Sequence, residues 1–333
     1  MKAFAKRLIG SRWTKWAVVV IAAGIGAYEI DKEWKEVHHA LGQIGLLASF
    51  EALLALLVMQ FATLFQWRAM LAGLGSPLRT TTAGRIFFIG QLGKYIPGSV
   101  WPVLTQMELG ARANVPRARS ASASILTMIL SLATGLLVAA ATLPFAHYSA
   151  GYDYVFLLVP VILVGLYPRV LNPLLNRLFK LAKRPGLDEP VTLRMLAKPL
   201  AWSLTAWLAN GAQIWILADK LGAPVGRTIP IALGGYAFAW CAGFIVIFAP
   251  AGAGARDALL VVALIPLVGT HSAALAVALV SRAVNTASDL IVAGTAAATR
   301  GRQTADEDPG KAGPALPAET VTPVATGSDS SRA

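Results

Sequence analysis

Charged residues are scarce in this chain of 333 residues, because Asp, Glu, Lys and Arg together make up only 14% of it. Ordinary soluble domains carry about 25%. Acidic residues are the scarcer sign, at 17 against 29 lysines and arginines. There is one cysteine, Cys241, so no intramolecular disulfide can form. The shortage of charge excludes an ordinary soluble domain.

Apolar sequence is what the chain has in abundance. Hydrophobic residues account for 56% of it, and several runs approach the roughly 20 residues that a helix needs to cross a bilayer. A β-barrel would show short alternating segments instead. We therefore predict an all-α integral membrane protein.

The net charge of +12 is concentrated in particular loops rather than spread along the chain. Cytoplasmic loops of membrane proteins carry such an excess of Lys and Arg, so we expect no nucleic acid partner. Basic residues also precede the first apolar run, as in a signal peptide. We prefer an uncleaved first helix, because an Ala-x-Ala cleavage site is lacking and membrane sequence continues. Both termini are then predicted to be cytoplasmic.

Apolar runs alternating with basic loops predict six membrane-spanning helices, over residues 13–30, 41–67, 120–145, 154–170, 199–218 and 272–299. Residues 31–40 are predicted to be an external loop, and residues 169–198 a cytoplasmic one. The membrane domain would occupy residues 1–300. The tail over 301–333 is rich in Pro, Gly, Ala, Ser and Thr, which predicts a disordered cytoplasmic segment.

Two further apolar segments are interrupted by helix-breaking residues. The first, over residues 83–107, contains Lys94 and Pro97-Gly98 and has basic residues on both sides. The second, over residues 228–270, contains Pro250-Ala251-Gly252-Ala253-Gly254-Ala255-Arg256-Asp257. Basic residues on both sides place both ends of the first segment inside. The last helix is predicted to end inside at Arg300 and Arg302 and so to start outside, which places both ends of the second segment outside. Each is predicted to be a re-entrant hairpin, the alternative being a kink or a loop between two short helices.

The predicted elements occur in the same order twice with opposite orientation. The two repeats cover about 13–145 and 154–299. Such an inverted repeat is typical of secondary transporters, whose binding sites lie at broken helices in corresponding halves.

Ionisable residues at membrane depth usually face a partner or a cavity. The helix that follows a Pro-Gly break presents free N–H groups to an anion such as phosphate, and Ser99 is a candidate cap for it. Arg282, Asn285 and Asp289 share one helix face. The predicted substrate-binding residues are Glu51, Lys94, Pro97, Gly98, Ser99, Gly252, Gly254, Arg256, Asp257 and Arg282.

Structural roles are the alternative for some of these residues. Glu51 as a neutral side chain bonded to a neighbouring helix is one such role, and local pairing of Arg282 and Asp289 is another. The sequence offers no metal cluster, cofactor motif or hydrolytic triad, so we expect no cofactor and no enzymatic activity.

The two broken segments resemble the paired signatures of the flippase-like family, also called the lysylphosphatidylglycerol synthase transmembrane-region family. The matching residues are Leu92-Gly93-Lys94-Tyr95-Ile96-Pro97-Gly98 with Val100-Trp101, and the Pro250 to Asp257 run. The sequence departs from the usual signature in three places: Ala251 replaces Gly, Asp257 replaces Glu, and Ser99 stands where a basic residue is common. These departures bear on headgroup preference.

The resemblance implies a protein that moves an anionic phospholipid or a polyprenyl-phosphate-linked lipid between leaflets. The family's best-known relatives add a soluble aminoacyl-transferring domain, and we expect this chain to keep the lipid-translocating part alone. The partner would be a membrane lipid, with a lipid-modifying transferase as a possible second one. The alternative is a non-transporting scaffold that presents lipid to a separate glycosyl- or aminoacyl-transferase.

Overall fold

The computed structural model describes residues 34–96, 100–146, 157–181, 190–245 and 254–306. Regular structure in these ranges is entirely helical, which confirms the predicted all-α class. The predicted first helix over 13–30 lies outside the described residues. The α-helices are α1 Trp34–Gly73, α2 Thr80–Gln91, α3 Trp101–Ala111, α4 Arg117–Thr142, α5 Leu158–Leu166, α6 Pro168–Leu181, α7 Leu193–Asp219, α8 Val225–Pro230, α9 Tyr236–Ile245, α10 Ala255–Val268 and α11 His271–Asp306.

Three segments of the described chain are long and apolar enough to cross a membrane: Trp34–Gly73, Arg117–Ala146 and His271–Ala298. A fourth is reached if Val159–Leu166 and Pro168–Arg177, bent by 73°, count as one broken span. Helix α7 has 27 residues but does not reach the same hydropathy among the described segments. The described residues thus supply three or four of the six predicted spans, and the inverted repeat stays a prediction.

Helix α1 begins seven residues earlier than predicted and is broken near its start. The prediction of a loop over 31–40 was wrong from Trp34 onward, because Trp34–Ala40 is helical. Gly45 has φ 66° and ψ 175°, which interrupts the helix. A positive φ of this kind suits glycine, which has no Cβ to clash with the backbone. Residues before Gly45 therefore form a short helical arm.

The predicted cytoplasmic loop over 169–198 also contains helix. Pro168–Leu181 is α-helical, with Leu171 and Leu175 buried and Arg169 exposed. Apolar residues four positions apart lie on one face of a helix, so the segment can be basic and still pack. The loop was predicted from the basic residues of this segment, and the apolar residues spaced four apart were not taken into account.

The first hairpin consists of α2, the 3-10 turn Leu92–Tyr95 that extends it, and α3. A Cβ atom on Gly93 would lie 2.9 Å from the backbone of Trp101 and Pro102, and one on Gly90 would lie 2.6 Å from Gln106. Positions 93 and 90 thus face positions 101–102 and 106, which is antiparallel packing at very close range. The predicted turn, Pro97-Gly98, falls in residues 97–99, outside the described ranges.

The second hairpin consists of α9 and α10 and packs in the same way. A Cβ on Gly243 would lie 2.9 Å from the Cβ of Arg256, and one on Gly235 would lie 3.3 Å from Ala263. These pairs again run in opposite directions along the two limbs. Pro250 and Gly252 lie outside the described residues.

Each hairpin packs into its own hydrophobic core, at a different part of α1. Leu56 and the N-terminal residues of α1 share a core with Tyr236 and Leu260 of the second hairpin. Leu64 and the C-terminal residues of α1 share a second core with Phe87 of the first hairpin. The two hairpins therefore share cores with different parts of α1, and Gln60 lies between those parts along the helix.

Helix α11 extends beyond its predicted end into the segment predicted to be a disordered tail. Residues 301–306 are helical, and Arg302 and Gln303 favour that state. Among the described residues, those up to Ala297 belong to one compact unit and those over 298–306 to another. The remainder of the predicted tail, 307–333, lies outside the described residues.

The close approach in the first hairpin gives a testable result for Gly93→Ala. The added methyl meets backbone rather than a flexible side chain, so we expect overpacking to destabilise the protein by about 1–3 kcal/mol. The matched control is Gly294→Ala in α11, where nothing lies within 4 Å. That change is expected to be neutral or to stabilise by up to about 1 kcal/mol. Equal thermal unfolding of the two variants in detergent would contradict the packing described.

Candidate functional site

A cavity of about 290 Å³ lies between the two cores. Both hairpins contribute to its wall, together with α1, α4, α7 and α11. Its charged lining residues are Lys94, Arg256, Arg282 and Asp289. The residues predicted from the two broken segments therefore meet around one space.

Lys94 pairs with Asp289, 195 residues away on α11. The Nζ atom of Lys94 lies 2.7 Å from Oδ2 and 2.9 Å from Oδ1 of Asp289. Asp289 is 3% exposed, whereas the lysine side chain is 32% exposed. A carboxylate this buried needs a partner cation. Lys94 supplies it and keeps access to the cavity.

Two more side chains hold the same carboxylate. The hydroxyl of Tyr95 donates to Oδ2 of Asp289 at 2.6 Å, and Nε2 of Gln60 donates to Oδ1. Gln60 also donates to the hydroxyl of Ser288 at 3.3 Å. Asp289 therefore ties the first hairpin to α11 and to the middle of α1.

Asp257 plays the corresponding part on the opposite side. Its Oδ1 accepts hydrogen bonds from Nε and Nη2 of Arg256 at 3.1 and 3.0 Å. Its Oδ2 accepts a hydrogen bond from Nη1 of Arg282. The Arg256 guanidinium also lies over the ring of Tyr236, 5.9 Å from its centroid. One carboxylate thus fixes two arginines, and both arginines line the cavity.

The local sequence explains how these side chains reach their places. Gly254 has φ 90° and ψ −69° immediately before α10, a conformation open to glycine. Helix α10 then starts with Arg256 and Asp257 in its first turn, where the positive helix end favours an acid and disfavours a cation. On α11, Arg282 and Asp289 are seven residues apart and so share a face.

The other described lining residues are uncharged and are polar, aromatic or aliphatic. Gln66 and Ser131 exchange hydrogen bonds at 3.1 and 3.3 Å, and Ser124 donates to Gln106 Oε1. Trp240 stacks on Phe244 with ring centroids 5.6 Å apart. The cavity thus combines a charged cluster with uncharged polar and aromatic side chains.

The structure brings some predicted site residues together and separates others. Lys94, Arg256 and Arg282 line the cavity, while Asp257 holds the arginines and Gly254 precedes α10. Glu51 lies two turns before Gln60 on α1 and is not among the described lining residues. Pro97, Gly98, Ser99 and Gly252 lie outside the described ranges.

The capping role predicted for Ser99 falls on a residue outside the described ranges. Helix α3 begins at Trp101, and its N-cap position is taken by Val100, which makes no side-chain cap hydrogen bond. Pro102 lies in the first turn of the helix, where its missing N–H costs nothing.

Sequence reasoning missed Gln60, Tyr95 and the aromatic residues of the cavity. Gln60 did carry a signal, because an amide in the middle of an apolar run is costly in a bilayer unless it finds a partner. Tyr95 gave no signal of this kind, because a tyrosine side chain has an apolar body and a polar tip and is common where apolar and polar surroundings meet.

The all-helical fold, the apolar spans and the ion-paired interior define an α-helical integral membrane protein. A sequence model of the lysylphosphatidylglycerol synthase TM region matches residues 7–293, and the chain belongs to that family. The resemblance seen in the two broken segments is thereby confirmed. A comparison with curated proteins finds no match. Membership indicates a role connected with membrane lipids.

Proposed function

We propose that this protein moves an anionic phospholipid, or a polyprenyl-phosphate-linked lipid, across the bacterial cytoplasmic membrane. The observation that carries the proposal is the cavity where Lys94, Arg256 and Arg282 face one space between two helical hairpins. A phosphate suits such a site because arginine and lysine bind its oxygens through charge-assisted hydrogen bonds. The acyl chains would remain in lipid.

The position of the hairpins supports transport between the two faces. They share cores with different parts of α1, and residues of both cores line the cavity. A site at the meeting point of two broken segments is accessible from either side by small movements of one segment against the other. We propose that the hairpins are re-entrant, with both chain termini in the cytoplasm.

Two carboxylates form ion pairs with the three basic residues of the site. Lys94 is paired with Asp289, and the single carboxylate of Asp257 pairs with both arginines. Phosphate oxygens would compete with these carboxylates for the same N–H donors. Bound lipid would therefore loosen the contacts that join the first hairpin to α11.

The test is lipid exchange in proteoliposomes that contain phosphatidylglycerol with a fluorescent acyl chain. We expect the chain to speed exchange between leaflets, and Lys94→Ala with Arg256→Ala to return it to the rate of protein-free vesicles. The matched control is Lys220→Ala with Arg227→Ala, which removes two exposed basic side chains. Wild-type exchange at the vesicle background, or full exchange by the Lys94/Arg256 variant, would refute the proposal.

A second candidate is a scaffold that presents lipid to a separate transferase, because the family is the membrane region of a lipid-modifying synthase. Neither role gives the chain a catalytic step of its own. Co-purification of a stable transferase, with lipid binding but no exchange by the chain alone, would favour the scaffold. Headgroup turnover by the pure chain would overturn both.

A further inference from the structure

Helix α6 turns sharply away from the apolar helix that precedes it. Helix α5 exposes large apolar side chains, Val161, Leu163 and Val164, as a segment in contact with lipid does. The backbone of Tyr167 is extended, with φ −67° and ψ 129°, because the residue before a proline disfavours helix. The axes on either side of this residue are bent by 73°. Such a turn directs α6 along the membrane surface when α5 runs across the membrane.

One face of α6 is fixed against the rest of the protein. Leu171 and Leu175 are buried in the second core, and Leu175 is only 1% exposed. The side chain of Asn172 clamps the backbone of Val191: its Nδ2 donates to the carbonyl oxygen at 2.9 Å, and its Oδ1 accepts from the N–H at 2.8 Å. These contacts set the rotation of α6 about its own axis, and therefore which residues point outward.

An exposed apolar strip lies beside that buried face. Val170 and Leu174 are four residues apart and so share one line along the helix. Leu174 is 57% exposed, although the next residue is buried in the core. An exposed leucine of this kind is ordinary on a lipid-facing helix, but α6 also carries charge. The strip therefore has to be interpreted together with its basic neighbours.

The basic residues of α6 border the strip on its outer side. Arg177 comes three residues after Leu174 and so lies next to it. Arg169 and Lys180 are about three turns apart and share a face beyond Arg177. All three are exposed, and the sequence of α6 contains no acidic residue. Around the helix, the buried face is thus followed by an exposed apolar strip and then by a basic face.

This order of faces matches an anionic membrane surface. A helix with an apolar strip and a Lys- and Arg-rich polar face lies in the plane of the interface, where the strip reaches the acyl chains. The stems of lysine and arginine can lie along apolar surface while their charged ends reach polar groups. Lipid phosphates supply the negative charge that α6 lacks.

We infer that α6 lies in the headgroup layer of the membrane, with Val170 and Leu174 against the acyl chains and Arg169, Arg177 and Lys180 bound to the phosphates of anionic lipids. Each cation near an anionic surface favours association by a factor of about five. None of these five residues is among the described residues that line the cavity. The surface is therefore separate from the proposed transport site, and it would enrich anionic lipid beside the protein.

A fluorophore attached at Leu174→Cys tests the inference in phosphatidylcholine vesicles that contain some phosphatidylglycerol. Cys241 is buried, so the added cysteine takes the label. Brominated acyl chains, which quench the fluorophore on contact, are placed on either lipid at the same mole fraction. We expect quenching from brominated phosphatidylglycerol to be at least about twice that from brominated phosphatidylcholine. Equal quenching by the two lipids, or none by either, overturns the inference.

A label at Asn176→Cys is the control for position. Asn176 is exposed and lies on the polar side of α6, so we expect the bromines to quench it far less than the label at position 174. Equal quenching at the two positions would show that α6 is not oriented as inferred. Disulfide formation between two copies of the Leu174→Cys chain, or a label as protected in detergent as in lipid, would show that protein covers the strip and would also overturn the inference.

The basic face is tested by a triple variant that carries the Leu174→Cys label: Arg169→Gln, Arg177→Gln and Lys180→Gln. We expect its quenching ratio for the two lipids to fall to about one, because the attraction to phosphate is lost while the apolar strip remains. An unchanged ratio would remove the three cations from the lipid contact.

Two further variants separate this effect from net charge and from transport. The matched control removes three exposed cations elsewhere and should keep the wild-type ratio: Lys35→Gln, Lys220→Gln and Arg227→Gln. An equal loss in this control would show that overall charge decides and would contradict the inference. Lys94→Ala with Arg256→Ala should also keep the ratio while it loses lipid exchange, so failure of the proposed transport is distinguishable from failure of the α6 surface.

Discussion

Lys94→Met is expected to abolish lipid exchange and to destabilise the protein at the same time. The methionine leaves Asp289, which is 3% exposed, without its cation. Removing one partner of a buried pair costs about 3–5 kcal/mol, and the 32% exposure of Lys94 puts this case at the lower end, near 3. Exchange should drop at least about tenfold, because the same lysine is assigned to the phosphate. Thermal unfolding in detergent and the proteoliposome assay measure the two effects.

The double variant Lys94→Met with Asp289→Asn separates the effect on stability from the effect on lipid exchange. Asparagine keeps an acceptor for Tyr95 and Gln60 but removes the orphan charge, so stability should recover most of the loss, as for other replaced buried pairs. Exchange should stay at background. The control is Arg117→Gln, which breaks an ion pair whose side chains are 59% and 61% exposed and should leave unfolding unchanged. Full exchange by either lysine variant would remove Lys94 from the substrate site.

Asp257→Asn is expected to change which lipid is preferred. Among the described residues of the site, three cations (Lys94, Arg256 and Arg282) pair with two carboxylates (Asp257 and Asp289), which is a formal charge of +1. Loss of Asp257 raises that charge to +2, while Arg256 and Arg282 keep facing the cavity. A phosphomonoester carries about −1.5 to −2 at neutral pH, so phosphatidic acid should gain on phosphatidylglycerol by about tenfold in relative exchange rate. The matched control is Asp219→Asn, an acid 42% exposed beside Lys220. An unchanged ratio in the Asp257 variant, or an equal shift in the control, would contradict the charge count.

The parts that the sequence predicted best are those where a local pattern has one physical solution. A Pro-Gly break in apolar sequence with basic flanks favours two short helices, and the first hairpin has them on either side of residues 97–99. Lys94, Arg256 and Arg282 were costly at membrane depth unless they met a partner, and each has one.

The sequence could not predict ion pairs between residues that are far apart along the chain. Lys94 and Asp289 were both recognised as buried candidates, but 195 intervening residues gave no register to join them. Local conformations that depend on tertiary packing were missed as well. The break at Gly45 and the 73° bend before Pro168 involve glycine and proline, which are frequent in membrane helices and do not by themselves locate a break. In the sequence Gln60 is an isolated polar residue, and its hydrogen bond to Asp289 depends on the tertiary fold.

The formal charge of +1 on the site also bears on how the membrane potential would act on it. A charge that crosses the whole membrane field contributes about 2.3 kcal/mol for every 100 mV. An empty site with the formal charge described above would feel that field, whereas a site filled by a singly negative headgroup would be neutral and would not.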